Sequence, residues 1–260
     1  GTPEPQGDRP RTDRRSRRRS PRCQQASRIH GTNRAVSGAP LFRPARYVRA
    51  RDERHAVEEL AADPGARILA GGTLVMQGRD ASATALIDVS DAGLSGVEEA
   101  DGAWVVGAAT SVDDLVDRRL PGAVREAAAL FGPPAIRCVA TVGGNLVGGR
   151  GYGHLGPALL ALDARVAIVS ATGSREVGLE TVWSEGLGEA ELLTRVMIPR
   201  GATWSGATQL ERSALDHWVA VVALVMDARG AERWGLGAIG PRPVLLCDDR
   251  ALADVEVVDD

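Results

Sequence analysis

The sequence predicts an α+β fold from residue 41 onward, and three observations carry that prediction. Short apolar runs alternate with segments of helical periodicity along most of the chain. Two turns, Leu69-Ala-Gly-Gly-Thr73 and Ala140-Thr-Val-Gly-Gly-Asn-Leu-Val-Gly-Gly149, each set a Gly-Gly pair beside a threonine at or within an apolar run. Toward the end, Trp218–Asp227 and Glu232–Ile239 read as a long hairpin turned at Arg229-Gly230.

The elements follow in order. Tyr47-Val48 leads into a helix over Asp52–Asp63, with Ala56, Val57 and Leu60 on one face. Pro64-Gly65 ends it, and Arg67–Leu69 is a short buried strand running into the first Gly-Gly turn. This β-α-β opening delivers the turn's N–H groups at a strand end, where a phosphate can sit. Ala85–Val89 and Ala103–Ala108 are further strands. Ser111 is a good N-cap for a helix over Ser111–Asp117, with Asp113 and Asp114 at its positive end. Pro121–Phe131 is another helix, broken by Gly132-Pro-Pro. After the second turn, Leu155–Leu162 reads as a helix and Ala164–Ser170 as a strand, with a hairpin turn at Gly173. Leu192–Ile198 and Ala207–Arg212 are strands that precede the final hairpin.

Composition sets the bounds. The chain has 260 residues, 44% hydrophobic and 25% charged, enough for one large or two modest domains with a sizeable core. Its net charge of −3 hides a split. Residues 1–40 carry Arg in excess over Glu4, Asp8 and Asp13, so the remainder is more acidic than the total and does not invite nucleic acid. That Arg-, Pro- and Ser-rich tail lacks the aliphatic surface to offset its ordering entropy. It reads as a disordered extension, with a basic arm for nucleic acid or acidic lipid as the alternative. Cys23, Cys138 and Cys247 are scattered without CxxC spacing, which gives no Cys-only cluster and no disulfide framework, and implies a reducing, cytoplasmic compartment. The longest apolar run, Trp218–Met226, is far short of a membrane span, so no membrane insertion is expected. No Ser-His-Asp order, metal-ligand spacing or Walker-type loop is present.

The two Gly-Gly turns carry the chemistry. Successive backbone N–H groups in such turns form a concave anion site, and a threonine hydroxyl adds a donor. Two of them together can hold the two halves of a pyrophosphate.

At these residues the chain resembles a known group. Ile68-Leu-Ala-Gly-Gly-Thr73, followed by Ala85-Leu-Ile-Asp-Val89, is similar to the first flavin motif of the FAD-binding subunits of molybdenum hydroxylases. These include the flavin domain of xanthine dehydrogenase and the medium chain of carbon monoxide dehydrogenase. Ile136-Arg-Cys-Val-Ala-Thr-Val-Gly-Gly-Asn-Leu146, followed by Pro157-Ala-Leu-Leu-Ala-Leu-Asp-Ala164, resembles the second motif, and Gly107-Ala-Ala-Thr110 lies between them as in the family. The resemblance covers about Leu41 to Asp254.

It implies a two-subdomain FAD-binding domain of the PCMH, vanillyl-alcohol-oxidase-like type, followed by a small α+β C-terminal domain of the CO dehydrogenase flavoprotein type. The expected division is 1–40 as tail, 41–181 as FAD-binding domain and 182–260 as C-terminal domain. Gly237-Ala-Ile-Gly-Pro-Arg-Pro243 resembles a family segment that precedes a substantial helical tail; here the closing helices are expected to be shortened or missing.

The resemblance also assigns residues. Gly71, Gly72 and Thr73 would face one side of the FAD pyrophosphate, and Thr141, Gly143, Gly144 and Asn145 the other. Leu69, Ala70 and Leu74 would shape the pocket, and Leu193 would pack near the flavin ring or serve as plain core.

Two departures stand out. In Asn145-Leu-Val-Gly-Gly-Arg-Gly-Tyr-Gly-His154 the family usually ends on an Asp that accepts hydrogen bonds from the cofactor. His154 can replace it through one ring nitrogen, though not as an anion; it is also a candidate general acid or base, or a solvated loop residue. Arg150 and the surrounding glycines make this loop flexible. Four residues before Arg212, where related members carry a Lys near the flavin, stands Thr208.

The implied function is that of an FAD-binding oxidoreductase subunit. It would pass electrons from the two [2Fe–2S] clusters of a small subunit, fed by a molybdopterin-binding large subunit, to an external acceptor. The alternative is a standalone flavoprotein-like enzyme, possible as a homo-oligomer, with FAD structural or absent and a non-redox role such as a cyclisation.

Overall fold

The computed structural model describes residues 44–78, 82–116, 119–148, 153–211 and 218–247. Expectations placed on the tail, on Asp117, on residues 149–152, on Arg212 and on the segment after Cys247 lie outside these residues.

Strand β1 (Arg46–Arg49) opens a three-stranded sheet of order β1-β3-β2, with β2 (Arg67–Leu69) and β3 (Ala85–Asp88). Both pairings are parallel, as β-α-β connections require. Tyr47-Val48 is thus sheet, paired with Leu86-Ile87. Helix α1 (Glu53–Ala62) links β1 to β2. Asp52 caps it from an extended conformation, its carboxylate accepting from His55 N at 2.8 Å. Ala56 and Val57 bury against Ala85, Ile87 and Val89.

A second, five-stranded antiparallel sheet has the order β4-β5-β8-β6-β7. Its strands are β4 (Val97–Ala100), β5 (Ala103–Gly107), β6 (Arg165–Ser170), β7 (Gly173–Gly178) and β8 (Leu192–Pro199). β6 and β7 form the expected hairpin, closed at Gly173 with φ +148°, which an L side chain rarely adopts. β8 lies beyond the 181/182 boundary expected from sequence, yet it pairs with β5 on one side and β6 on the other. The boundary itself falls inside a helix, Leu179–Glu185.

The third sheet, β12-β11-β10-β9, is antiparallel: β9 (Ala202–Glu211), β10 (Trp218–Asp227), β11 (Glu232–Gly237) and β12 (Val244–Cys247). In chain order the helices are α2 (Thr73–Gly78), α3 (Gly122–Leu130), α4 (Pro134–Arg137), α5 (Val142–Gly148), α6 (Leu155–Ala161) and α7 (Leu179–Glu185). One core joins Val106, Val166 and Val196 of the second sheet to Val124, Ala127 and Leu159 of α3 and α6, and to Ala223 and Val225 of the third. The approach of α6 is very close: a Cβ at Gly235 would stand 2.0 Å from Pro157 O. Arg233 Nε then donates to Ala161 O at 2.8 Å, satisfying a carbonyl at the end of α6.

The expected helix after Ser111 is a single 3₁₀ turn, Asp113–Val116, with Ser111 Oγ accepting from Asp114 N at 3.2 Å. The residues after the first Gly-Gly turn and those of the second are helical, as α2 and α5, where sequence suggested turns alone.

Candidate functional site

A cavity of about 950 Å³ lies between the β2–α2 turn, the start of α5 and the entry to β8. Its walls include Ala70, Gly71, Gly72, Thr73 and Leu74 from the first turn, and Thr141, Gly143, Gly144 and Asn145 from the second. Leu193 lines it from β8. Ten of the sequence-predicted residues therefore meet around one space, and two, Leu69 and His154, do not line it.

The two turns contribute differently. In the first, Gly72 takes φ +73° and its carbonyl accepts from Met76 N at 2.9 Å, starting α2. The N–H groups of Gly71, Gly72, Thr73 and Leu74 meet no backbone acceptor among the described residues. They are the unsatisfied donors that precede and begin a helix, gathered at the cavity wall.

In the second turn the donors are already used. Val142 N donates to Thr110 O at 3.0 Å and Gly143 N to Ala108 O at 2.8 Å. Gly144 N donates to Thr141 Oγ1 at 3.2 Å, and Asn145 N to Thr141 O at 2.9 Å. The pairing of Thr141 with Ser111 brings the 108–112 segment alongside to take the first two donors, and Thr141 itself takes the other two, so this turn offers side chains instead of a row of amides. Thr141 Oγ1 keeps its own proton to donate. Asn145 is 9% exposed, and its Oδ1 has no hydrogen-bond partner among the described residues. A buried amide oxygen left so costs about 1–3 kcal/mol, which a donor entering the cavity would recover.

The turns also touch. A Cβ at Gly71 would stand 1.7 Å from Val139 O, and one at Gly148 would stand 2.4 Å from Leu74 Cδ1. Bare backbone is required where the first turn crosses the segment leading into the second.

Leu69 is half-buried in β2 and packs behind Gly72. His154 is fully buried. Its Nε2 lies 2.7 Å from Gln209 Oε1, and Gln209 Nε2 donates in turn to Glu211. Its ring stands edge-on to Phe131 at 5.7 Å between centroids, and Phe131 lines the cavity. His154 thus supports the wall from behind. Burial pushes its pKa below the ordinary histidine value, against the opposing pull of Gln209 and Glu211, so the ring is neutral near pH 7. Thr208 is exposed on β9, outside the cavity lining.

Sequence reasoning missed Glu191, which lines the cavity just before Leu192 and Leu193. Arg175 on β7 grips its carboxylate with two bonds, Nε to Oε1 and Nη2 to Oε2, each 2.9 Å, and Gly188 N donates to Oε2 at 2.8 Å. The Arg175 bond, helped by Gly188 N–H, holds the Glu191 carboxyl below the usual range. An Arg in a strand and a Glu sixteen positions on carry no local signal of pairing. Among the described residues no group of three or more His, Cys, Asp or Glu is placed to hold a metal, and no helix is long and apolar enough to cross a membrane.

The cavity is at the upper end of the range for cofactor sites, about 300–1,000 Å³. Open amides on one side and a hydroxyl on the other suit an anionic group, the unpartnered Asn145 oxygen calls for a donor on the same ligand, and the aliphatic walls suit a flat apolar end.

Comparison with known proteins agrees. Residues 42–201 match the family described as the FAD binding domain in molybdopterin dehydrogenase. The chain is 30% identical over 182 residues to the carbon monoxide dehydrogenase medium chain of Afipia carboxidovorans, covering 64% of this chain and 63% of that one. It is 34% identical over 147 residues to the xanthine dehydrogenase FAD-binding subunit of Escherichia coli O157:H7, covering 53% and 50%. The chain therefore spans less than two thirds of these relatives' length. Among solved structures, reconstituted CO dehydrogenase from Oligotropha carboxidovorans superimposes with a TM-score of 0.72 at 28% identity, covering 79% of each chain. Quinoline 2-oxidoreductase from Pseudomonas putida 86 shares the fold, with a TM-score of 0.72 at 24% identity.

Proposed function

The chain belongs to the family of FAD-binding domains of molybdopterin dehydrogenases, and on that premise we propose that it is the flavin-carrying component of a molybdenum hydroxylase. FAD is the cofactor of this family. In this reading the chain receives electrons from [2Fe–2S] clusters on a small subunit, themselves supplied by a molybdopterin-binding large subunit, and passes them to an external acceptor. The oxidoreductase kinship of the relatives supports it.

The residues present fit FAD. The orphaned Asn145 Oδ1 and the bare backbone at Gly71 are what a closely held, hydrogen-bonding cofactor requires. The amides of Gly71, Gly72 and Thr73 would hold one side of its pyrophosphate and the Thr141 hydroxyl the other, while Asn145 Oδ1 would accept from a hydroxyl or N–H of the cofactor. Gly143 keeps α5 close to Ala108, and Gly144 leaves room for Thr141 Oγ1. Leu74 and Leu193 supply apolar walls that exclude water. When bound, FAD supplies the electron exchange; the chain's own task is to bind, orient and shield it.

The family match ending at residue 201 and the place of β8 in the five-stranded sheet support ending the flavin-binding domain at β8, with β9–β12 forming the second unit.

The observation that carries the reading is the meeting of both glycine turns on one cavity with open amides and an unpaired amide oxygen. The test is the visible spectrum of the purified chain with added FAD, before and after anaerobic dithionite. A bound flavin spectrum that bleaches on reduction supports the reading, and co-purification with molybdopterin and iron–sulfur chains extends it. A chain that binds no FAD overturns it, in favour of a recruited, non-redox role.

A further inference from the structure

We infer that Arg175 and Glu191 form a charge-compensated clasp that fixes one wall of the cavity and sets the redox balance of the flavin held there. The inference rests on the proposed FAD-binding role and adds a pair of positioning residues to it.

The wall in question is the connection from α7 to β8 with the start of that strand: Leu187 and Glu191 line the cavity from the connection, Leu192 and Leu193 from β8. Its backbone is an unusual path for so short a link. Gly186 takes φ +76° and Ala190, with a side chain, takes φ +58°. A non-glycine residue held in the left-handed region persists only where its surroundings fix it. The Glu191 carboxylate does so: it accepts Gly188 N from within the loop and both Arg175 donors from β7. A bidentate Arg–carboxylate bond has one good geometry, so the loop is pinned to the sheet in one position. The fit is close, since a Cβ at Gly188 would stand 3.3 Å from Glu191 Oε2.

The clasp also has an electrostatic side. Glu191 places a carboxylate in a wall of mostly aliphatic side chains; it is 16% exposed and its Arg175 partner 38%, so solvent screens part of its field and the effect is modest. Alone, that negative charge would disfavour reduced flavin, which carries the added electrons. Arg175 cancels it. Thr208 lies outside the lining and supplies no cation to it, and the Arg175–Glu191 pair is the ion pair at the α7–β8 wall.

The two halves of the clasp therefore predict shifts of opposite sign. Arg175→Met leaves Glu191 uncompensated and weakens reduced FAD more than oxidised FAD, lowering the midpoint potential. Glu191→Gln leaves Arg175 with only the weaker attraction of Glu185 and does the reverse. An expected three- to tenfold change in the ratio of the two affinities is about 14 to 30 mV for a two-electron couple. Arg175→Lys, which keeps charge but not the fork, holds the potential near that of the unaltered chain while loosening the loop.

The experiment is the full chain loaded with FAD, its midpoint potential measured by dye-equilibrated reduction and its FAD affinity by fluorescence quenching. Amide exchange across residues 186–193 is followed with and without FAD. Opposite potential shifts in the two neutralising variants, with faster exchange in that segment for all three, support the inference. Equal loss of affinity for both redox forms with no potential shift reduces the pair to ordinary structure and overturns it. If the unaltered chain binds no FAD, the functional reading fails and this inference with it; if the unaltered chain binds and the variants match it throughout, the inference alone fails.

Discussion

Gly71 and Val139 sit backbone to backbone, so close that a single carbon added to Gly71 would stand 1.7 Å from the Val139 carbonyl oxygen. Two segments far apart in sequence are locked at the point where both border the cavity. The contact explains a glycine that turn geometry alone does not, since positive φ belongs to the neighbouring Gly72.

Gly71→Ala must force the turns apart. Overpacking against backbone costs typically 1–3 kcal/mol. The expected result is a lower unfolding midpoint together with a strong loss of FAD affinity, read by urea denaturation and FAD titration. Retained affinity would show that the crossing does not shape the site.

Gly235→Ala is the matching test away from the cavity. It clashes with Pro157 O, where α6 rests on β11. A similar loss of stability is expected, but the folded fraction should still bind one FAD per chain with unchanged affinity.

Asn145→Leu separates cost from use. Without ligand the change removes a buried oxygen that lacks a partner, so stability should hold or rise. FAD affinity should fall about tenfold or more, equivalent to about 1.4 kcal/mol. Parallel thermal melts with and without FAD check both halves.

His154 gives a pH dependence of defined sign. Its folded pKa is depressed by burial, so the unfolded chain takes up the proton first as pH falls. Its neutral form costs nothing above the ordinary histidine pKa of about 6.5. Below that, stability is lost progressively until the buried ring's lower pKa is reached. Melting curves from pH 7.5 to 5 should show this decline, with Gln209 and Glu211 moderating it, and His154→Gln should flatten it.

Where local chemistry decides, the sequence could be read. The apolar stripe of Ala56, Val57 and Leu60 announced α1, and Gly173 announced the β6–β7 hairpin. The two motifs located the cavity because their glycines answer a backbone requirement. What could not be read depends on distant partners. The amides of Val142 and Gly143 are taken by Thr110 and Ala108, more than thirty positions away, so a stretch that looks like a second anion turn becomes a tethered helix. β4 escaped notice because Glu98 and Glu99 break its apolar pattern on an exposed sheet edge. His154 follows a glycine-rich stretch that suggests exposure, while the Gln209 that accompanies it into the core is 55 residues on.

The position of β8 has a consequence for the order in which this chain can fold. It is the last strand of its sheet to leave the ribosome, yet it fills the gap between β5 and β6. Until Leu192–Pro199 arrives, β4-β5 and β6-β7 are separate hairpins, each with an open edge ready to pair wrongly. Bridging them joins residues some ninety positions apart, a slow, high-contact-order step. The same strand carries Leu192 and Leu193 into the cavity wall, so a nascent chain has no complete cavity before that closure, and under the proposed role no complete site for FAD. Cofactor loading in this architecture must come after the sheet is stitched shut.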